Sequence, residues 1–398
     1  MFSHENKDIL FEPISITGFA SISPLGSSTE EIWANYLKEK KHFISLEMFE
    51  TEEAVVAKLS GSSADELQDV QNSVSHYKNV DKTVLMAVFA ARQAMKNAGW
   101  KTGDDFGINM GSSRGATALF EQYHAEFLNK GKASTLSSPT TTLGNISSWI
   151  ANDLLTKGPE ISHSITCSTA LHAVLNGVAW LTSGLTQKFM VGGSEAPLTA
   201  FTIAQMKALK IYVQDVTAEF PCRALDLGKT KNQMFLGEGA SVFCLEKGVK
   251  TNANAVITGV GYATELLTHN ISISANADCF QDSMRMALKS TSVDDVDVII
   301  MHSPGTIKGD SSEYNAVNNI FGDNIPFLTN NKWKIGHSFG ASGALSLELA
   351  ILIIENQRVI SVPFIDNQVK PAKIKKVLVN AVGFGGNAVS ILVELPVI

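Results

Sequence analysis

The sequence predicts an α/β fold built from two similar halves. Short apolar strands alternate with helical segments along its 398 residues. The strands are near-continuous apolar runs, which argues a parallel-rich sheet covered on both faces. Features of the first half also recur in the second in the same order, the mark of an internal repeat.

The elements follow in order. Residues 14–18, Ile-Ser-Ile-Thr-Gly, read as a short strand ending in glycine. Residues 51–81 look like surface loop and helix without a core pattern. Residues 81–99 read as a helix: Val84, Val88, Ala91 and Met95 share a face, and Gly99 stands where a C′ glycine belongs. Residues 107–111 form a second strand. The helix over 168–181 has no formally charged residue and is expected to be buried all round. Residues 188–193 and 241–246 are further strands. In the second half, Ile257-Thr258-Gly259 repeats Ile16-Thr17-Gly18, and 296–301 answers the strand ending at Gly111. The helix after His337 answers the helix after Cys167. Residues 377–382 followed by Gly383-Phe384-Gly385-Gly386 answer the strand ending Val191-Gly192-Gly193. The expected division is 1–250 and 251–398, with a polar linker near residues 250–255.

Composition narrows the function. At roughly 100–200 residues per domain, the length calls for two or three domains. Hydrophobic residues at 44% and charged residues at 18% exclude a disordered chain and point to a large core and a buried interface. A net charge of −7 argues against a nucleic-acid footprint. The four cysteines form no C-x-x-C pair, so a reducing compartment is expected. Residues 1–12 carry no apolar signal core, and the apolar stretch 344–354 is short and carries Glu348. No membrane span and a cytoplasmic location are the expectation.

Cys167 is the first chemical candidate. It lies between a β-rich stretch and the uncharged helix, and a helix N-terminus favours thiolate over thiol. Cys222, Cys244 and Cys279 read as buried core residues. His302 follows an apolar strand at its C-terminal end, where ligand groups gather in α/β sheets. His337 occupies the place in the second half that Cys167 holds in the first. The remaining histidines read as structural, His163 being the nearest to Cys167. No companion Asp, Glu or His stands at metal-ligand spacing beside His302 and His337, so no metal is expected. Gly336-His337-Ser338-Phe339-Gly340 matches G-x-S-x-G, but no histidine follows Ser338, as the Ser-acid-His order requires. No phosphate-binding glycine motif follows a strand.

Taken together, these motifs resemble the β-ketoacyl-acyl-carrier-protein synthases of elongating type. The resemblance runs over nearly the whole chain. It includes Ser23-Pro24-Leu25-Gly26, Cys167, Gly192-Gly193-Ser194-Glu195-Ala196, Cys222-Arg223-Ala224-Leu225-Asp226 and Leu236-Gly237-Glu238-Gly239-Ala240. It continues at His302, Thr306, Gly309-Asp310, Glu313, Lys332, Gly336-His337 and Gly383-Phe384-Gly385-Gly386. The resemblance implies a thiolase-like fold, layered αβαβα. It implies that Cys167 takes an acyl group from a phosphopantetheine thioester, and that His302 and His337 hold malonyl-carrier protein and stabilise the enolate formed on decarboxylation. Lys332 and Glu313 would support the histidines. Phe384 would gate the two substrate sites, and the N–H groups of Cys167 and Phe384 would form the oxyanion hole. Thr306, Gly383 and Gly385 would line the substrate path.

The chain also departs from the family. Pro304 stands where a pantetheine-contacting threonine is usual, Asn387-Ala388 replace Thr-Asn, and Ala224 replaces a proline. The resemblance implies no resident cofactor and an acyl carrier protein as partner. It implies a homodimer, with a heterodimer with another synthase as the variant. An acidic carrier requires a basic dock, either Lys38, Lys40 and Lys41 or Lys207 and Lys210. The alternative functions are a chain-length-factor-like partner subunit with little activity alone, and a serine hydrolase acting through Ser338.

Overall fold

The computed structural model describes residues 12–38, 42–49, 52–143, 145–266 and 273–396. Its strands, in chain order, are β1 Ile14–Ile22, β2 Ile44–Phe49, β3 Glu52–Ala57, β4 Gly107–Gly111, β5 Glu160–His163, β6 Lys188–Glu195, β7 Leu236–Gly237, β8 Gly239–Lys247, β9 Ala255–Thr264, β10 Val298–Ile300, β11 Phe327–Thr329, β12 Lys376–Gly383 and β13 Asn387–Glu394. They make two five-stranded sheets, ordered β1-β8-β6-β4-β5 and β9-β13-β12-β10-β11, and a small sheet of β2, β3 and β7.

The two large sheets have the same plan. In the first, β1–β8 and β8–β6 are antiparallel while β6–β4 and β4–β5 are parallel. In the second, β9–β13 and β13–β12 are antiparallel while β12–β10 and β10–β11 are parallel. The sheets are therefore mixed rather than parallel-rich. Burial on both faces makes a strand uniformly apolar whatever its direction, so apolar runs alone do not report orientation.

The Ile-Thr-Gly echo encodes a structural repeat. Register shifts between Ile16 and Gly18 on β1, and between the partners of Ile257 and Gly259 on β9, so Thr17 and Thr258 are each the extra residue of a β-bulge. Each threonine hydroxyl donates to a glutamate on the neighbouring strand, Thr17 to Glu246 at 3.0 Å and Thr258 to Glu394 at 2.8 Å.

Helices Thr169–Thr182 and Ser342–Asn356 pack against each other between the sheets. Their apolar side chains join those of the inner strand faces in the central core. Helices Lys82–Asn97 and Asn145–Leu154 cover the outer face of the first sheet. Helices Asp278–Ala287 and Ile307–Phe321 cover the outer face of the second. The result is the αβαβα layering expected. Asp81 caps Lys82–Asn97 through the Thr83 N–H at 2.8 Å. The stretch Phe339–Asn356 is long and apolar enough to cross a membrane, yet it is mostly buried and contains Ser342–Asn356, the innermost helix of this core.

Two expectations are corrected. Residues 52–81 do contribute to the interior: Val55, Val56, Leu67, Val70 and Tyr77 are all buried. Residues 54–57 are one short apolar run, and Leu67 and Val70 are isolated on a polar helix, so no period is sustained. The helix Thr169–Thr182 is not buried all round, since Ala179 is exposed and Leu175 and Asn176 are half-buried.

Candidate active site

Cys167 sits in a turn between β5 and the helix Thr169–Thr182. The preceding Thr166 is left-handed, at φ +47. Thr169 Oγ1 donates to the Thr166 carbonyl at 2.5 Å and accepts from the Ile165 N–H at 2.8 Å, while Ser168 Oγ donates to the Ile165 carbonyl at 3.0 Å. These bonds over-determine the turn that carries Cys167. His163 has the structural role expected of it, with Nδ1 2.9 Å from Asn109 Nδ2 and Nε2 3.1 Å from the Thr169 carbonyl.

His302 leaves the C-terminal end of β10. Glu313, buried on the helix Ile307–Phe321, accepts from the N–H groups of His302 and Ser303 at 2.8 and 2.7 Å. Asn330 Nδ2 donates to the carbonyls of Met301, His302 and Ser303, and its Oδ1 accepts from the Lys332 N–H at 2.6 Å. His337 is held by the first half: its N–H donates to the Phe235 carbonyl at 2.8 Å, and its carbonyl accepts from Gly237 at 3.1 Å. The two imidazoles meet edge to face, with ring centroids 5.4 Å apart.

Cys167, His302, His337, Thr306, Gly383 and Phe384 line one cavity of about 300 Å³. Phe384, 40% exposed, stands at its mouth. A Cβ at Gly383 would overlap Thr166 Oγ1, so only glycine lets the β12 end approach the cysteine turn. Gly385, at φ +96, turns the chain into β13. Asn387, the family departure, donates to the Phe384 carbonyl at 3.3 Å within the same turn. Thr306 caps the helix Ile307–Phe321 through the Gly309 N–H at 3.2 Å.

Lys332 and Glu313 lie behind the cavity and are each 1% exposed. Burial pushes Glu313 up and Lys332 down, while their mutual attraction opposes both shifts. Among the described residues, Lys332 Nζ has no hydrogen-bond partner. Burial, then the Lys332 charge, hold both imidazoles well below the ordinary range, so each is neutral at pH 7. Burial pushes the Cys167 thiol up to about 12, with Glu195 adding to the rise and Lys332 and Arg114 opposing it. The expected gain from the helix N-terminus does not overcome desolvation. The resting group is a thiol, and a neutral imidazole is available to take its proton.

Sequence reasoning missed Asn330 and Glu195. Asn330 carried a local signal, an Asn-Asn pair directly before Lys332. Glu195 was legible as a motif member, but its partners lie about 80 and 145 residues away. Ser338 is 1% exposed and does not line the cavity, so the hydrolase alternative lacks an accessible nucleophile. Among the described residues, no three His, Cys, Asp or Glu side chains are grouped to hold a metal ion.

Comparison with known proteins agrees with this architecture. The β-ketoacyl synthase N-terminal domain matches residues 11–250, and the β-ketoacyl synthase C-terminal domain matches residues 254–364. The 3-oxoacyl-[acyl-carrier-protein] synthase 2 of Staphylococcus aureus (strain COL) is 26% identical over 400 residues, covering 94% of this chain and 96% of that protein. The synthase of the same name from Coxiella burnetii is 26% identical over 405 residues, with the same coverages of 94% and 96%. Among solved structures, the ishigamide ketosynthase/chain length factor superposes with a TM-score of 0.83 at 21% identity, over 96% of this chain and 99% of that one. A type II polyketide synthase acyl-carrier protein in complex with its ketosynthase gives a TM-score of 0.83 at 19% identity, again over 96% and 99%. The chain belongs to the β-ketoacyl synthase family, and it is an acyltransferase of that family.

Proposed function

We propose that this chain elongates a fatty-acid or polyketide chain by decarboxylative Claisen condensation of malonyl-acyl carrier protein with an acyl group held on Cys167. The convergence of Cys167, from one half, with His302 and His337, from the other, on a single cavity carries the reading. In the first step the Cys167 sulfur attacks the acyl thioester as its proton passes to a neutral imidazole. The new S–C bond forms, the pantetheine C–S bond breaks, and the departing thiolate takes the proton. In the second step the malonyl C–C bond breaks, releasing CO₂ and leaving an enolate whose oxygen is stabilised by N–H donors of His302 and His337. The enolate carbon attacks the acyl carbon while the N–H groups of Cys167 and Phe384 face the developing oxyanion, and the Cys167 thiolate leaves. The substrates arrive on phosphopantetheine, so no resident cofactor is called for.

Acylation of Cys167 should appear by intact mass when the protein is incubated with a panel of acyl-carrier proteins. Cys167→Ala should abolish both acylation and condensation, while Cys167→Gln should retain malonyl decarboxylation alone. Full condensation by Cys167→Ala would sink the proposal.

Two surface features support the partners. Lys210, Lys231 and Lys308 are exposed around the mouth, and Asn232 ties their segments together: it donates to the Lys210 carbonyl at 2.9 Å and accepts from the Ile307 N–H at 2.9 Å. This rim is the basic dock for an acidic carrier. Of the earlier candidates, Lys207 is paired with Glu52, Lys38 lines a separate cavity beside Trp333, and Lys40 and Lys41 lie outside the described residues. The second feature is apolar. Phe120, Phe127 and Leu128 are exposed on the helix Thr117–Lys130, β5 is a sheet edge, and the uncharged helix Thr169–Thr182 is partly open. Together they favour a homodimer through this side. The reducing, cytoplasmic setting belongs to the same proposal.

A further inference from the structure

Phe339 is a bulky residue in the left-handed region, at φ +41, and is only 4% exposed. Such a conformation persists only where the surroundings impose it. Here the constraint comes from the opposite half. Glu195, the last residue of β6, is fully buried. Its carboxylate accepts from Ser112 Oγ at 3.0 Å and from the N–H groups of Ser113 at 2.6 Å, Arg114 at 3.1 Å and Gly340 at 3.0 Å. A Cβ at Gly340 would overlap the Ser113 nitrogen and lie 2.8 Å from Glu195 Oε2, so the turn is pressed directly onto the carboxylate.

The consequence falls on the cavity. The Phe339 ring lies edge-on to His337 at 5.5 Å, and the Arg114 guanidinium stands 5.4 Å from its centroid. Phe339 and Met206 line the cavity with Cys167.

We propose that Glu195 is a positioning residue: by gripping the Gly340 N–H and the 112–114 loop it fixes Phe339 as an apolar wall beside Cys167, and this wall selects the length of acyl group that the thiol accepts. The inference rests on the reading of Cys167 as acyl acceptor. A ring held in one place can discriminate between chains that differ by a few methylenes, and one methylene in an apolar pocket is worth roughly 10–200-fold in rate. A ring released from its turn cannot.

The test compares wild type, Glu195→Gln, Phe339→Ala and the double variant. Acylation rates at Cys167 are measured by intact mass with acyl-carrier proteins of graded chain length, and melting temperature is recorded beside them. Glutamine keeps the size of Glu195, but its amide nitrogen cannot accept the N–H bonds. The expected result is a rise of roughly tenfold in the ratio of long-chain to short-chain rates for Phe339→Ala. A shift in the same direction is expected for Glu195→Gln, and none beyond Phe339→Ala for the double variant. If Glu195→Gln does not fold, Arg114→Met and Phe339→Leu are used in the same ratio measurement. Variants that lose stability or rate with an unchanged length ratio overturn this inference alone. A wild type that no acyl substrate modifies overturns the reading of Cys167, and this inference with it.

Discussion

At the scale of single residues, the site is made by bringing charged and reactive groups into a place where water cannot relax them. Desolvation keeps His302 and His337 neutral, so each imidazole has one N–H to give and one lone pair to receive. An ordinary histidine would impose an acid limb near pH 6.5. Condensation is expected instead to stay level as pH falls through 6.5, because the lowered pKa values move imidazole protonation to more acid solution. Replacing either histidine with alanine should cost ~10²–10⁴ in condensation rate, read in a carrier-protein assay. Gly383→Ala should block acylation even if the chain folds, since the new Cβ has no room beside Thr166 Oγ1. Intact mass after incubation with acyl carrier protein checks this. Asn387, where the chain departs from the family pattern, donates its amide to the Phe384 carbonyl within the turn.

The elements show which part of the design was legible in the sequence. Strand positions, the C′ glycine Gly99 and the Ile-Thr-Gly repeat were readable because each is set by neighbours in the chain. Strand direction was not, because a strand buried on both faces is apolar in either direction. Nor was the clamp at Glu195, whose partners are remote in sequence. The innermost helix contains one residue that its apolar pattern does not explain. Glu348 is 1% exposed and accepts from Ser21 Oγ at 2.5 Å. Burial pushes its carboxyl up from 4.5 to about 7. The folded protein therefore holds this proton more tightly than the unfolded chain. Stability from this group is greatest below pH 4.5, falls as pH rises towards 7, and is level above it. The loss amounts to about 3 kcal/mol, at 1.36 kcal/mol per unit. Glu348→Gln should thus be more stable than wild type at pH 8, by up to about 3 kcal/mol, and the difference should shrink by pH 5. Urea unfolding at the two pH values measures it.

For the whole molecule, the key fact is that neither half lines the Cys167 cavity alone. The first half brings Cys167 and the strand that fixes His337; the second brings both histidines and the Phe384 turn. The family resemblance implied this division, since the motifs on each side of the repeat carry different residue types. The surface expectations divided differently. Of the lysines named from sequence, Lys210 lies on a segment that Asn232 joins to the segment of Lys308, and with Lys231 these make the proposed rim, which only folding brings together. Reversing these three charges to glutamate should raise KM for carrier-borne malonyl by roughly tenfold at low salt, with little change in kcat. Light scattering should give twice the mass of the chain, and placing lysine at Phe120 and Phe127 should lower it. The strand order carries one more consequence, for the chain as it is being synthesised. In each sheet, the strand that comes last in that half is not an edge: β8 joins β1 to β6, and β13 joins β9 to β12. At about 5–20 residues per second, the roughly 150 residues between the starts of β8 and β13 take the ribosome on the order of ten seconds. Until β13 emerges, β9 has no partner strand in its sheet, so a translational pause after β9 would prolong the nascent chain's exposure to aggregation or chaperone capture.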